Sequence, residues 1–199
     1  MNSSYRLGDI IVQGYNNHEL NKEIFTEHPD SIGCDYVLSL DKTDRIGCAT
    51  KIILNHMKKY VHLYPPDIET STVVHLRLGD AVGGHHFFEK RLRPFDVSYY
   101  QSIMPEGKIY VIGKCHFGRG ECSTNYDECK ELSNTYMLNV LNVLGATHFD
   151  GGSPDIDLCC AIKAKNFIQG RGYYSKLIVE VRRRLGLKSI ETNSHNFNV

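Results

Sequence analysis

The chain has 199 residues, 41% of them hydrophobic and 23% charged, a composition that lets one large domain, or one domain and a small subdomain, bury a real core. Lys plus Arg equals Asp plus Glu at 23 each, so the formal charge is zero and the electrostatic footprint of a general nucleic-acid binder is absent. No run approaches the roughly 20 apolar residues that span a bilayer, and the polar start Met1–Gly8 carries no signal core, so a cytoplasmic location is expected. The odd count of seven Cys then reads as reduced thiols, most of them small buried hydrophobes.

In chain order, Asp9–Gln13 and Tyr36–Leu40 read as strands. Arg45–Lys59 reads as a helix, with Asp44 as its cap and Ile46, Ile53 and Met57 facing inward. Tyr64-Pro65-Pro66 reads as a hinge or linker, separating a small N-terminal part, 1–66, from a larger unit, 67–190. Thr72–Leu78 is a β-branched strand that ends at Gly79-Asp80. Lys108–Ile112 is a second strand, launched from Pro105-Glu106-Gly107 and stopped by Gly113. A helix follows, capped by Ser123 or Thr124, with Asp127 and Glu128 in its first turn. Leu132, Tyr136, Val140 and Val143 recur at helical spacing, and Gly145 stops the run.

The pattern then repeats. Ala146–Phe149 is a short strand, and Ser153 caps a helix with Pro154 at its first position, carrying Ile156, Leu158, Cys159, Cys160 and Ile162. Asn166–Gln169 is a strand, Gly170-Arg171-Gly172 a turn, and Tyr173–Leu185 a helix ended by Gly186. Arg182, Arg183 and Arg184 read as a solvated basic face that complements the helix C-terminal dipole. The polar tail after Lys188 is expected to fray, with 191–199 outside the domain.

Strands alternating with helices predict an α/β, Rossmann-like parallel sheet with helices on both faces. Such sheets bind ligands beyond the carboxyl ends of their strands. The residues just after Leu78, Ile112, Phe149 and Gln169 are therefore expected to share one rim.

Two stretches of that rim carry chemistry. In His75-Leu76-Arg77-Leu78-Gly79-Asp80, strand alternation puts His75 and Arg77 on one face, and Gly79 permits a sharp turn. Arg77 near the strand end offers a fork of N–H donors that suits a phosphate; the bland alternative is a buried arginine paired with Asp80. In Gly170-Arg171-Gly172-Tyr173-Tyr174-Ser175, glycines open a helix whose free N–H groups favour an anion, and Ser175 offers a hydroxyl. Arg171 is either a second phosphate contact or a solvated loop residue.

His-x-Arg-x-Gly-Asp at the end of a strand resembles the signature of the fucosyltransferase superfamily that uses GDP-fucose: the α1,2- and α1,6-fucosyltransferases and the protein O-fucosyltransferases. The resemblance extends over about Thr72–Leu185, through Asp155-Ile156-Asp157-Leu158 and the Gly170–Ser175 turn. It implies the C-terminal donor-binding domain of a GT-B-type glycosyltransferase and inverting transfer to a glycan or protein acceptor without a metal. It implies that Arg77 contacts the donor pyrophosphate with His75 beside it, and that Asp157 helps hold the nucleoside. Gly172, Tyr173, Tyr174 and Ser175 match the phosphate turn, and Gly113 and Lys114 border the base. The N-terminal third does not match a full acceptor domain, which keeps open a catalytically inactive sugar-nucleotide or glycan-binding module. The same scaffold with a different donor also stays open.

For the base that takes the acceptor's proton, Asp9 is favoured slightly over Glu89 and Asp80, although an ordinary turn residue is the commoner fate of such an aspartate. Asn16 and Asn17 resemble polar residues near the reacting sugar, or simply form a turn. Cys115, His116, Cys122 and Cys129 lack the tight C-x2-C knuckle of structural zinc sites, and His85-His86 reads as part of a mobile loop near the acceptor.

Overall fold

The computed structural model describes residues 47, 50, 53–54, 57–58, 60–83, 94–116 and 126–192, and the side chains of all of these except Asp80, Gly83, His116 and Tyr173. The readings at Asp9–Gln13, Asn16, Asn17, Tyr36–Leu40, Asp44, His85, His86, Glu89, Cys122, Ser123 and Thr124 lie outside the described residues.

The described residues 47, 50, 53–54, 57–58 and 60 are helical, and from Thr72 to Ile190 seven strands are interspersed with five further α-helices. The strands are β1 (Thr72–His75), β2 (Leu78–Gly79), β3 (Ile109–Ile112), β4 (Cys115–His116), β5 (Thr147–His148), β6 (Asn166–Ile168) and β7 (Ser189–Ile190). The helices are α1 (Asp80–Gly83), α2 (Val97–Ile103), α3 (Tyr126–Leu144), α4 (Pro154–Lys163) and α5 (Tyr173–Arg184). Five strands form one sheet in the order β5-β3-β1-β6-β7, and every pairing is parallel. The chain winds outward through β1, β3 and β5, then returns to the other side of β1 with β6 and β7. Its switch point is therefore the β1–β6 crevice, where an open parallel sheet accepts ligands.

The sheet is buried on both faces because its strands are apolar on both. Val73, Ile112 and Phe167 pack with α4, α5, Ile53 and Tyr64; Val74, Val111 and Ile168 pack with residues of α2 and α3. This is the Rossmann-like sandwich that the alternating pattern predicts. Tyr64, before Pro65-Pro66, is buried in the first of these clusters, and its hydroxyl donates to the Met57 carbonyl at 3.3 Å.

Local chemistry sets most boundaries. Ser153 Oγ accepts from the Ile156 N–H at 3.3 Å, with Pro154 opening α4. Asp96 caps α2, accepting from the Ser98 N–H at 2.9 Å; this helix is not anticipated by the spacing of its apolar residues. On α3 the buried stripe is Cys129, Ser133, Met137 and Val140, whereas Leu132 and Val143 are exposed, so the face that meets the sheet is rotated from the predicted one.

Three expectations fail for tertiary reasons. Thr72–Leu78 is not one strand: it breaks at Leu76-Arg77, and Leu78–Gly79 pairs with β4 in a separate two-stranded ladder. The Arg182–Arg184 run is not a solvated face, because Arg182 is fully buried. Its guanidinium donates to the carbonyls of Ala161 (2.9 Å), Ile162 (2.8 Å), Ala164 (2.7 Å), Lys165 (3.1 Å) and Lys188 (2.6 Å). Ala161 and Ile162 lie in the last turn of α4, whose carbonyls have no partner within their own helix. The segment after Lys188 does not fray at once: Ser189–Ile190 adds β7 to the edge of β6, and Arg182 Nε holds Ser189 Oγ at 3.2 Å.

Candidate functional site

The parallel sheet brings the ends of β1, β3, β5 and β6 to one edge. At the end of β1 the Leu76 N–H still donates to Ile112 at 2.9 Å, and then the ladder stops. Gly113 comes so close that a Cβ on it would lie 2.4 Å from the Leu76 carbonyl oxygen. Arg77 sits in the gap between β1 and β2. Gly79, at φ 80, turns the chain into α1, which Asp80 opens.

Across the β1–β6 crevice lies the Gly170–Ser175 turn. A Cβ on Gly170 would fall 2.1 Å from the His75 carbonyl oxygen and 2.7 Å from His75 Nδ1. A Cβ on Gly172 would fall 2.7 Å from Arg77 Nη1 and 3.3 Å from Arg77 Cδ. The two glycines thus allow the strand-end backbone to close on His75 and the Arg77 guanidinium to lie against the start of α5. Gly172 is the N-cap of that helix, at φ 88 and ψ 174, and no side chain caps it. The Arg77 guanidinium thus lies beside the positive end of a 12-residue helix, and each of the two favours an anion.

The neighbours tune this corner. His75 is buried, its ring 5.2 Å from that of Tyr174, and Nδ1 has no hydrogen-bond partner among the described residues. Burial, and then the charge of Arg77, push its pKa down to about 3, so the imidazole is neutral at physiological pH. Ser175 is fully buried, and its Oγ accepts from the Gly170 N–H at 2.8 Å, which ties the turn to itself. The Tyr174 hydroxyl donates to the Pro154 carbonyl at 2.5 Å, joining the starts of α4 and α5.

Arg171 is not a solvated loop residue. It is buried, its guanidinium carbon 3.9 Å above the centre of the Phe95 ring, in the cluster that also holds Leu76 and Leu78. Arg77 lies instead beside Gly172 at the start of α5, near which the His75 and Tyr174 rings meet. Burial holds the Arg171 pKa below the usual arginine value.

A second group gathers past β3 and β5. Lys114 Nζ pairs with Asp150 Oδ1 at 2.5 Å, and His148 Nε2 lies 3.3 Å from the Gly113 carbonyl. Asp157, buried on the first turns of α4, accepts from the Gly151 N–H at 2.8 Å. Burial raises its pKa to about 6, against the lowering effects of the Gly151 N–H and of Lys114. Lys114 and Asp157 are thus gathered at one part of the rim, as Arg77, Gly170 and Gly172 are at another.

Asp9 lies outside the described residues, and so do the side chains of Asp80 and Tyr173. Among the described residues, no group of three or more His, Cys, Asp or Glu side chains could hold a metal ion, and no helix is long and apolar enough to cross a membrane. Sequence reasoning missed Phe95, Ser133 and Asp150, and read Tyr136 as part of a helical repeat and nothing more. Only Ser133 gave a signal, a hydroxyl at helical spacing between Cys129 and Met137. No protein-family model matches this sequence, and a search of curated proteins finds no match.

Proposed function

We propose that this chain binds a nucleoside-diphosphate sugar at the β1–β6 crevice and transfers the sugar with inversion to a glycan or protein acceptor. The resemblance of the His75–Asp80 motif makes GDP-fucose the donor, and makes the sheet unit the donor-binding half of a GT-B-type fold. One observation carries the reading: the Arg77 guanidinium lies against Gly172 at the uncapped start of α5.

The chemistry follows from that placement. As the bond to the sugar breaks, negative charge grows on the diphosphate leaving group. Arg77 and the N–H groups that open α5 are fixed beforehand where that charge develops, so they stabilise it without reorganising. The neutral His75 supports Arg77 without adding charge. Asp157, with Lys114 near it, offers a carboxylate at the rim for the donor groups of a nucleoside.

Calorimetric titration with GDP tests the proposal. Arg77→Ala is expected to weaken binding about 100-fold, a loss of about 3 kcal/mol typical of a desolvated charge-assisted contact, with the fold retained by circular dichroism. Equal affinity in the variant refutes the phosphate role. Release of GDP from GDP-fucose, followed in the presence of glycan acceptors, separates a transferase from a module that binds without turnover.

A further inference from the structure

We propose that α3 is the brace that positions both halves of the anion site, through Ser133 and Tyr136; the inference rests on the binding reading above for its functional meaning. Ser133 is fully buried in the middle of a 19-residue helix, where its stripe otherwise meets the sheet with Cys129, Met137 and Val140. Its Oγ–H donates to the Cys129 carbonyl at 2.7 Å, and its oxygen accepts from the Gly79 N–H at 2.8 Å. A buried hydroxyl is tolerated when both capacities are used, and here the second one reaches out of the helix to the residue that turns the chain after Arg77. The backbone around Arg77 is thus held on both sides, by Leu76 on Ile112 and by Gly79 on Ser133.

One turn further along α3, the Tyr136 hydroxyl donates to the Phe95 carbonyl at 2.6 Å. The Phe95 ring carries the Arg171 guanidinium, and Arg171 stands between the two glycines that meet His75 and Arg77. Ser133 therefore sets the Arg77 side of the crevice, and Tyr136, through Phe95, sets the Gly170–Gly172 side. Both are positioning residues: neither side chain is itself placed against the anion site. A site whose two walls hang from one rigid helix keeps its geometry better than one built on independent loops.

The test compares Ser133→Ala, Ser133→Thr and Tyr136→Phe with the parent chain. The Nε–H signals of Arg77 and Arg171, assigned by Arg77→Lys and Arg171→Lys, are followed by NMR without ligand. Ser133→Ala is expected to shift the Arg77 signal and spare that of Arg171, Tyr136→Phe to do the reverse, and Ser133→Thr to restore the parent spectrum. Signals that stay in place, or that move together in every variant, overturn the brace. In GDP titrations, Ser133→Ala is expected to weaken binding about tenfold in the parent and to add little in the Arg77→Lys background, the signature of coupled residues. An equal loss in both backgrounds overturns the positioning role. A parent chain that binds no GDP sinks the functional reading, and the NMR comparison still decides the brace.

Discussion

Replacing Arg182 by Met removes a buried cation that has no carboxylate partner among the described residues and is compensated by backbone carbonyls. Seven donor contacts run from its guanidinium to five carbonyls and Ser189 Oγ, at 2.6–3.2 Å. Each buried carbonyl left without a donor costs about 1–3 kcal/mol, so five orphans set a ceiling of roughly 5–15 kcal/mol. Two effects reduce it. Water enters beside Lys165 and Lys188, both exposed, and removal of the cation recovers the desolvation that lowers the Arg182 pKa to about 10. The expected net loss is about 3–5 kcal/mol, the usual cost of breaking a buried charged network from one side. Against a total stability of roughly 5–15 kcal/mol, that leaves the variant close to unfolding. The assay is urea unfolding at pH 7 by circular dichroism; with a slope of about 2 kcal/mol per molar, the midpoint falls by roughly 2 M. Arg183→Met is the internal control, because Arg183 is exposed and, among the described residues, pairs with Glu180 and Glu191; it is expected to shift the midpoint by less than about 0.3 M. A drop below about 0.5 M for Arg182→Met, or equal drops for both variants, refutes the assignment of Arg182 as the clamp between α4 and β7.

His75 titrates at about 3 in the fold and near 6.5 when unfolded, so its contribution is present above pH 6.5 and is lost as pH falls toward 3. Between pH 7 and 5 this amounts to about 2 kcal/mol, and a His75→Gln chain, unfolded in urea at both pH values, is expected to lack that slope. Asp157 runs the other way: its pKa of about 6 lies above the unfolded value of 3.8, so the stability it contributes is present below pH 3.8 and lost as pH rises through 6. Asp157→Asn is therefore expected to be more stable than the parent at pH 8 by on the order of 2–3 kcal/mol, the gap closing toward pH 4, while GDP binding weakens. Equal stability of the two chains at pH 8 counts against a strained carboxylate. Gly170→Ala drives a methyl into the His75 backbone and is expected to cost about 3 kcal/mol in urea unfolding. Gly172→Ala meets the Arg77 side chain, and its φ and ψ suit glycine alone, so about 1–3 kcal/mol of strain is expected together with weakened GDP binding.

The sequence by itself determined the period of the fold. β-Branched runs, Ser153-Pro154 at the start of α4 and Gly145 after α3 are local signals, and local sterics and capping read them the same way in any context. It also brought His75, Arg77, Gly170 and Gly172 into question together, because parallel strands must deliver their carboxyl ends to one edge. What only the tertiary structure decided depends on partners far away along the chain. Spacing cannot say which of three consecutive arginines is buried; Arg182 is, since the last turn of α4 presents carbonyls to it alone among the three. Nor can spacing show that Arg171 crosses to the Phe95 side, that Ser189–Ile190 finds an open edge on β6, or that a serine on α3 reaches Gly79. A buried polar group is stable only where another element supplies its hydrogen-bond partner, and that partner's identity is a property of the packed chain.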